Sequence, residues 1–168
     1  MTERPYPIVL FDWGDTIMYD DPALTVPMAE WPTVRAVEGV LDMLIELQAS
    51  GRRIILATGA MISDESQIRE ALARAGLAPY FSHIYCFKNT QLPKAEAFYR
   101  HILADLNLPA SDVLMVGDSF EKDVQIPNLL GIFAVWFNQR SNETRNNELH
   151  TTVHSMTDLR MFFRVFAK

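Results

Sequence analysis

A chain of 168 residues is long enough for one domain with a proper core and too short for two ordinary ones. With 49% hydrophobic and 21% charged residues it reads as globular rather than disordered. Its formal charge of -6 argues against a binder of nucleic-acid backbones, which needs a basic stripe.

Cys86 is the single cysteine, so no internal disulfide can form, and its apolar surroundings suggest a buried, inert thiol. The first residues lack a charged-then-apolar signal pattern, and no apolar run approaches the ~20 residues needed to cross a bilayer. A soluble, cytoplasmic protein with no membrane partner is expected.

In chain order, Ile8 to Ile17 reads I-V-L-F-D-W-G-D-T-I. A short apolar run leading into Asp12 and a Gly-Asp turn signal predicts a strand buried on both faces, with Asp12 where the backbone leaves the sheet. Tyr19 to Pro32 carries Pro22, Pro27 and Pro32 without a clean period, which predicts a flap beside the end of that strand, within a non-regular segment at about 17–32. Met28 and Trp31 either cover a ligand there or pack the flap onto the body.

From Thr33, the spacing of Val34, Val37, Val40, Leu41, Leu44 and Leu47 predicts a helix that Gly51 closes. Arg53 to Ala57 reads as a second strand, ending in Thr58-Gly59. Ser63 or Asp64 caps a helix with the stripe Ile68, Ala71, Leu72 and Ala75, and Gly76 ends it. His83 to Phe87 reads as a third strand, followed by a polar link and a helix opening at Pro93-Lys94 with Phe98, Ile102 and Leu103 inward. Asp112 to Val116 is a fourth strand breaking at Gly117-Asp118-Ser119, and a helix runs from about Glu121 to Leu130. Ile132 to Phe137 is a fifth strand. After a polar loop, the last helix turns Leu159, Phe162, Phe163 and Phe166 to one side.

Strands alternating with helices predict an α/β fold, a three-layer α/β/α sandwich around a mostly parallel, five- or six-stranded Rossmann-like sheet. The whole chain, 1–168, reads as one such domain.

Parallel strands present their carboxyl ends on one edge, where ligands bind in open α/β sheets. Asp12, Thr58 and Asp118 end three of the strands and can converge there, with Lys94 and Asp123 close behind. Clustered carboxylates repel unless a cation intervenes, and an oxygen-only donor set favours Mg²⁺ over zinc. Taken singly, each side chain also fits a plain structural role: Thr58 a strand-end hydroxyl, Lys94 a solvated helix start, Asp123 a helix-dipole partner. The four histidines, His83, His101, His150 and His154, show no ligand spacing.

Asp12 after its strand, Thr58 in I-L-A-T-G, Lys94, and G-D-S-F-E-K-D from Gly117 to Asp123 together resemble the haloacid dehalogenase-like superfamily. The resemblance runs from Ile8 to about Asn138. It implies a Mg²⁺-dependent phosphatase in which Asp12 attacks phosphorus to form an aspartyl-phosphate. It further implies that Asp12, the carbonyl of Gly14 and Asp118 hold the metal, with Asp123 as a further or supporting ligand. Thr58 and the N–H of Gly59 would bind phosphate oxygens, and Lys94 would offset the remaining charge. The family usually shows Lys-Pro where this chain has Pro93-Lys94, which leaves Lys88 as a competing lysine.

One departure bears on mechanism. The family's phosphatases carry a second Asp two residues after the nucleophile, as general acid and base, and here that position is Gly14. Asp15 swings in to serve, or substrates have good leaving groups, or water attacks slowly. The alternative is a non-catalytic module that binds phosphate or a partner. Dehalogenases and phosphonate hydrolases also lack that Asp but depend on sizeable inserted caps. The segments after Thr16 and Gly59 are too short for a separate cap domain. The resemblance is therefore to the capless group, whose open site admits large, even macromolecular, phosphorylated substrates or borrows the surface of a neighbour, such as a second copy in a homo-oligomer.

Overall fold

The computed structural model describes residues 5–167. Its centre is a six-stranded sheet in the order β3-β2-β1-β4-β5-β6, every neighbouring pair parallel. The strands are β1 (Ile8–Phe11), β2 (Arg53–Ala57), β3 (His83–Tyr85), β4 (Val113–Gly117), β5 (Phe133–Phe137) and β6 (His150–Val153). The helices are α1 (Val40–Ala49), α2 (Glu65–Arg74), α3 (Phe87–Thr90), α4 (Glu96–Leu106), α5 (Ile126–Leu129) and α6 (Met156–Val165). The fold is the expected Rossmann-like α/β sandwich.

Residue alternation along the strands builds its layers. Val9, Phe11, Ile54, Leu56, Leu114 and Val116 point to one face, where α1, α2 and α6 pack. Ile8, Leu10, Ile55, Val113 and Met115 point to the other, against Phe98, Tyr99 and Ile102 of α4. Because both faces are covered, all four residues of β1 are buried, as a continuous apolar run requires. Among the described residues no helix is long and apolar enough to cross a membrane.

Several expected boundaries are corrected. The helix expected from Thr33 begins only at Val40, because the backbone of the preceding segment is engaged elsewhere. Tyr19 donates to the Arg35 carbonyl, Val37 donates to the Ile17 carbonyl, and Gly39 stands at φ 79° immediately before the first turn. Pro93-Lys94 does not open a helix: α4 starts at Glu96 after an extended Ala95, and Lys94 lies on the approach. Phe87 belongs to α3, not to β3. The helix expected over 121–130 is two pieces, a π-helical Phe120–Gln125 and then α5; the N–H of Ile126 reaches five residues back to Glu121. Phe166 is 75% exposed, because it lies beyond the last residue of α6, where its ring still stacks on Phe162.

Other local expectations hold. Asp64 caps α2 in a reciprocal capping box with Gln67, and Gly51 and Gly76 adopt left-handed conformations behind α1 and α2. Cys86 is fully buried, and burial pushes its thiol up from its ordinary value.

Candidate active site

The strand order reverses direction between β1 and β4, the place where an open α/β sheet leaves a crevice beyond its carboxyl edge. β1 and β4 run in register, Phe11 opposite Val116. Asp12 and Asp118 therefore leave adjacent strands at the same edge, and the Asp12 N–H still bonds to the Val116 carbonyl at 2.9 Å. Thr58 leaves β2 beside them, its N–H held by the Tyr85 carbonyl of β3 at 3.0 Å. The topology thus converges these three residues on one cleft, of about 430 Å³.

Lys94 enters from the extended approach to α4. Its Nζ donates to Oδ1 of Asp12 at 2.7 Å and lies 2.6 Å from Oδ1 of Asp123. Only the first is an aimed hydrogen bond; Oδ1 of Asp123 faces the ammonium as an ion pair. The second oxygen of Asp123 accepts the Ser119 N–H at 2.9 Å. Lys88, the competing lysine, is exposed on α3.

Electrostatics in the cleft are unbalanced. Ligand oxygens of Asp12, Asp118 and Asp123 all lie within 4.8 Å of one another, against the single buried ammonium of Lys94. Burial first, then the charge of Asp12, push the Asp118 carboxyl up to about 8. The same two causes push Asp123 up to about 6, against the pull of Lys94. Burial alone would lower Lys94, yet Asp12 and Asp123 outweigh it and hold the ammonium above its ordinary value. Three carboxylates, two of them facing one ammonium, form a cluster able to hold a cation.

Around this cluster the polar groups are directed inward. The Thr58 hydroxyl oxygen accepts the Ala60 N–H at 3.0 Å, which leaves its proton free to donate into the cleft it lines. Gly59 packs on the Lys94 stem: a methyl group at residue 59 would lie 3.2 Å from the lysine Cβ. Thr16 donates to Asp118 at 3.4 Å.

Gly14 and Asp15 line the cleft as well. Asp15, in a left-handed conformation at φ 56°, has both oxygens engaged: one accepts the Asp20 N–H at 3.1 Å, the other pairs with Arg140 at 2.8 Å. The flap closes one side of the cleft. Met28 and Trp31 are buried in the core and so pack the flap onto the body, and both also line the cleft.

The model of the haloacid dehalogenase-like hydrolases matches residues 14–128 of the chain. The chain belongs to the haloacid dehalogenase-like hydrolases. The chain is 30% identical over 130 residues to the pyrimidine 5'-nucleotidase PynA of Streptococcus pneumoniae, covering 76% of this chain and 52% of that one. It is 28% identical over 108 residues to the glyceraldehyde 3-phosphate phosphatase of Pyrococcus abyssi, covering 62% of this chain and 43% of that one. The chain thus spans about half the length of these curated relatives. Among solved structures, an uncharacterized protein from Listeria monocytogenes superposes with a TM-score of 0.80 at 20% identity, over 94% of this chain and 97% of that one.

Sequence reasoning overlooked Asp20 among the residues that line the cleft. Asp20 lines the site, and burial, followed by the charges of Asp15, Asp12 and Asp21, raises its carboxyl, against a hydrogen bond from the Asp21 N–H. The adjacent pair Asp20-Asp21 at the start of the flap was the available signal, but nothing in residue type showed that the chain turns back there.

Proposed function

We propose that this hydrolase cleaves phosphate monoesters with the help of Mg²⁺, through an aspartyl-phosphate on Asp12. The observation that carries the reading is the setting of Asp12: a carboxylate at the end of β1, 15% exposed to the cleft, with one oxygen fixed on the buried Lys94 at 2.7 Å. A carboxylate so held is oriented for in-line attack without being sealed off. The relatives whose names describe phosphate-ester hydrolysis support the same chemistry.

The all-oxygen donor set of Asp12, Asp118 and Asp123 suits a hard divalent ion, with Asp123 the supporting member because both its oxygens already have partners. When bound, Mg²⁺ neutralises charge between the anionic nucleophile and the anionic phosphate. The Gly14 carbonyl is the further ligand we assign. Asp12 attacks phosphorus. Thr58 donates its free proton to a phosphate oxygen, and the Gly59 N–H binds a second. Lys94 keeps Asp12 aimed and offsets phosphoryl charge, a preorganised contribution of about 3 kcal/mol to the barrier. The cleft's open side leaves room for a large phosphorylated substrate or a second copy of the chain.

Turnover of an aryl phosphate with and without Mg²⁺ tests the reading. The expected result is Mg²⁺-dependent release of phosphate that Asp12→Asn abolishes. Mg²⁺-dependent binding of a phosphate mimic with no turnover would replace hydrolysis by a binding role.

A further inference from the structure

Breaking a phosphate monoester leaves an oxygen that needs a proton, and an attacking water has one to lose. Within the cleft most carboxylates are already engaged. Asp12 and Asp123 face Lys94, Asp118 accepts from Thr16, and Asp15 holds Arg140 and the Asp20 N–H. Oδ1 of Asp21 accepts the Ala23 N–H within its own turn.

Asp20 differs in its place beside Gly14. Its Oδ1 accepts the Asp21 N–H at 2.9 Å, while Oδ2 takes no hydrogen bond from the described residues. The turn after Asp12 folds back on itself: the N–H groups of Ile17 and Met18 both bond to the Trp13 carbonyl, and Met18 bridges to Gly14. That reversal lays Asp20 against Gly14. A methyl group on residue 14 would stand 3.2 Å from Cβ of Asp20 and 3.5 Å from its Oδ2. The carboxyl of Asp20 thus lies beside the volume that a side chain two residues past Asp12 would enter, and glycine leaves that volume open.

We propose that Asp20 is the proton donor and acceptor of the reaction, reaching past Gly14 from the start of the flap. The inference rests on the phosphate-ester reading above. In the first step a carboxylate oxygen of Asp12 bonds to phosphorus as the ester P–O bond breaks; the electron pair stays on the leaving oxygen, which takes the proton of the Asp20 carboxyl. In the second, the Asp20 carboxylate takes a proton from water as the water oxygen bonds to phosphorus. The Asp12–phosphorus bond breaks, and both carboxyl groups return to their starting forms with release of inorganic phosphate.

Single-turnover rates with two substrates test this, an aryl phosphate whose phenol leaves unaided and an alkyl phosphate whose alcohol does not. Asp20→Asn keeps the acceptor for the Asp21 N–H, so its melting temperature should match wild type. It should slow phosphoryl transfer from the alkyl ester by about 10²–10⁴-fold and from the aryl ester far less, leaving a burst of about one phenol per site. Asp21→Asn, which removes a neighbouring charge, should leave the aryl-to-alkyl ratio within about twofold, well inside the effect expected of a proton donor. Gly14→Asp combined with Asp20→Ser should restore the alkyl rate by offering a carboxyl from the other side of the same volume. A wild-type ratio in Asp20→Asn, or a raised ratio in Asp15→Asn instead, overturns the assignment while phosphatase activity stands. A wild-type protein with no Mg²⁺-dependent turnover overturns the underlying reading and this one with it.

Discussion

The carboxylate of Asp123 occupies the space that a side chain on Gly117 would fill: a methyl group there would collide with its Cβ, Cγ and Oδ2. Gly117 ends β4, and Asp123 returns to it from the π-helical segment that follows. Only a residue without Cβ permits the approach that brings Asp123 to both Lys94 and the Ser119 N–H.

Gly117→Ala therefore has to displace Asp123 from its two partners. Overpacking of this kind costs about 1–3 kcal/mol, or roughly 2–4 °C in melting temperature for each kcal/mol in a chain of this size. Thermal unfolding should show that loss together with a fall in kcat, because Lys94 would lose one of its two anchors. An alanine variant as stable and as active as wild type would mean that Asp123 has another place to stand.

Lys94 is buried between two carboxylates, so removing it leaves charge without compensation. Lys94→Met should destabilise the fold by about 3–5 kcal/mol, the usual consequence of breaking one side of a buried pair. Adding Asp123→Asn to that variant should recover part of the stability but none of the turnover. Denaturant unfolding of the single and double variants measures the first, phosphate release the second. Strictly additive losses would show that the two side chains do not share an interaction.

Much of this could be read from residue order, for a physical reason. Strands buried on both faces announce themselves as short apolar runs, and polar residues at their carboxyl ends have one edge to occupy; Asp12, Thr58 and Asp118 were legible in that way, whereas Lys94 was expected at a helix start that the chain does not form there. What escaped was set by contacts between distant segments. Val34 and Val37 have helical spacing, yet their stretch pairs with Ile17 to Tyr19. Pro93 looks like a first helical residue, but the chain stays extended through Ala95 and so carries Lys94 to the cleft. Asp20 looks like an ordinary loop acid until the reversal at Trp13 to Met18 sets it beside Gly14. Local periodicity records neither kind of event.

The flap is fastened from behind by one side chain. Nη1 of Arg74, in the last turn of α2, donates to the carbonyls of Ala29 at 2.9 Å and Trp31 at 2.8 Å, and Nη2 to that of Pro32 at 3.2 Å. Arg74→Ala should free those carbonyls and loosen the wall that Met28 and Trp31 give the cleft. Limited proteolysis should then cut faster within 19–32, and KM should rise more than kcat falls, since no reacting group is touched. Unchanged cleavage rates would show that burial of Met28 and Trp31 holds the flap unaided.

Glu46 ties the last helix to the first. Arg160 and Arg164 of α6 both bond to its carboxylate on α1, Arg164 at 2.5 Å. The hydrogen bonds from Arg160, then Arg164, pull its carboxyl down to about 2 from an ordinary 4.5. Between those values the unfolded chain holds a proton on Glu46 that the folded protein does not, so stability from this site rises with pH across the window. It is complete above the ordinary carboxylate range and disappears as the pH falls to about 2. Glu46→Gln should therefore melt below wild type by a constant margin at neutral pH, and the margin should close in acid. Because the cluster is solvent-facing, added salt should narrow the margin at neutral pH too. A deficit that persists undiminished in acid and in salt would assign the contact between α1 and α6 to packing alone.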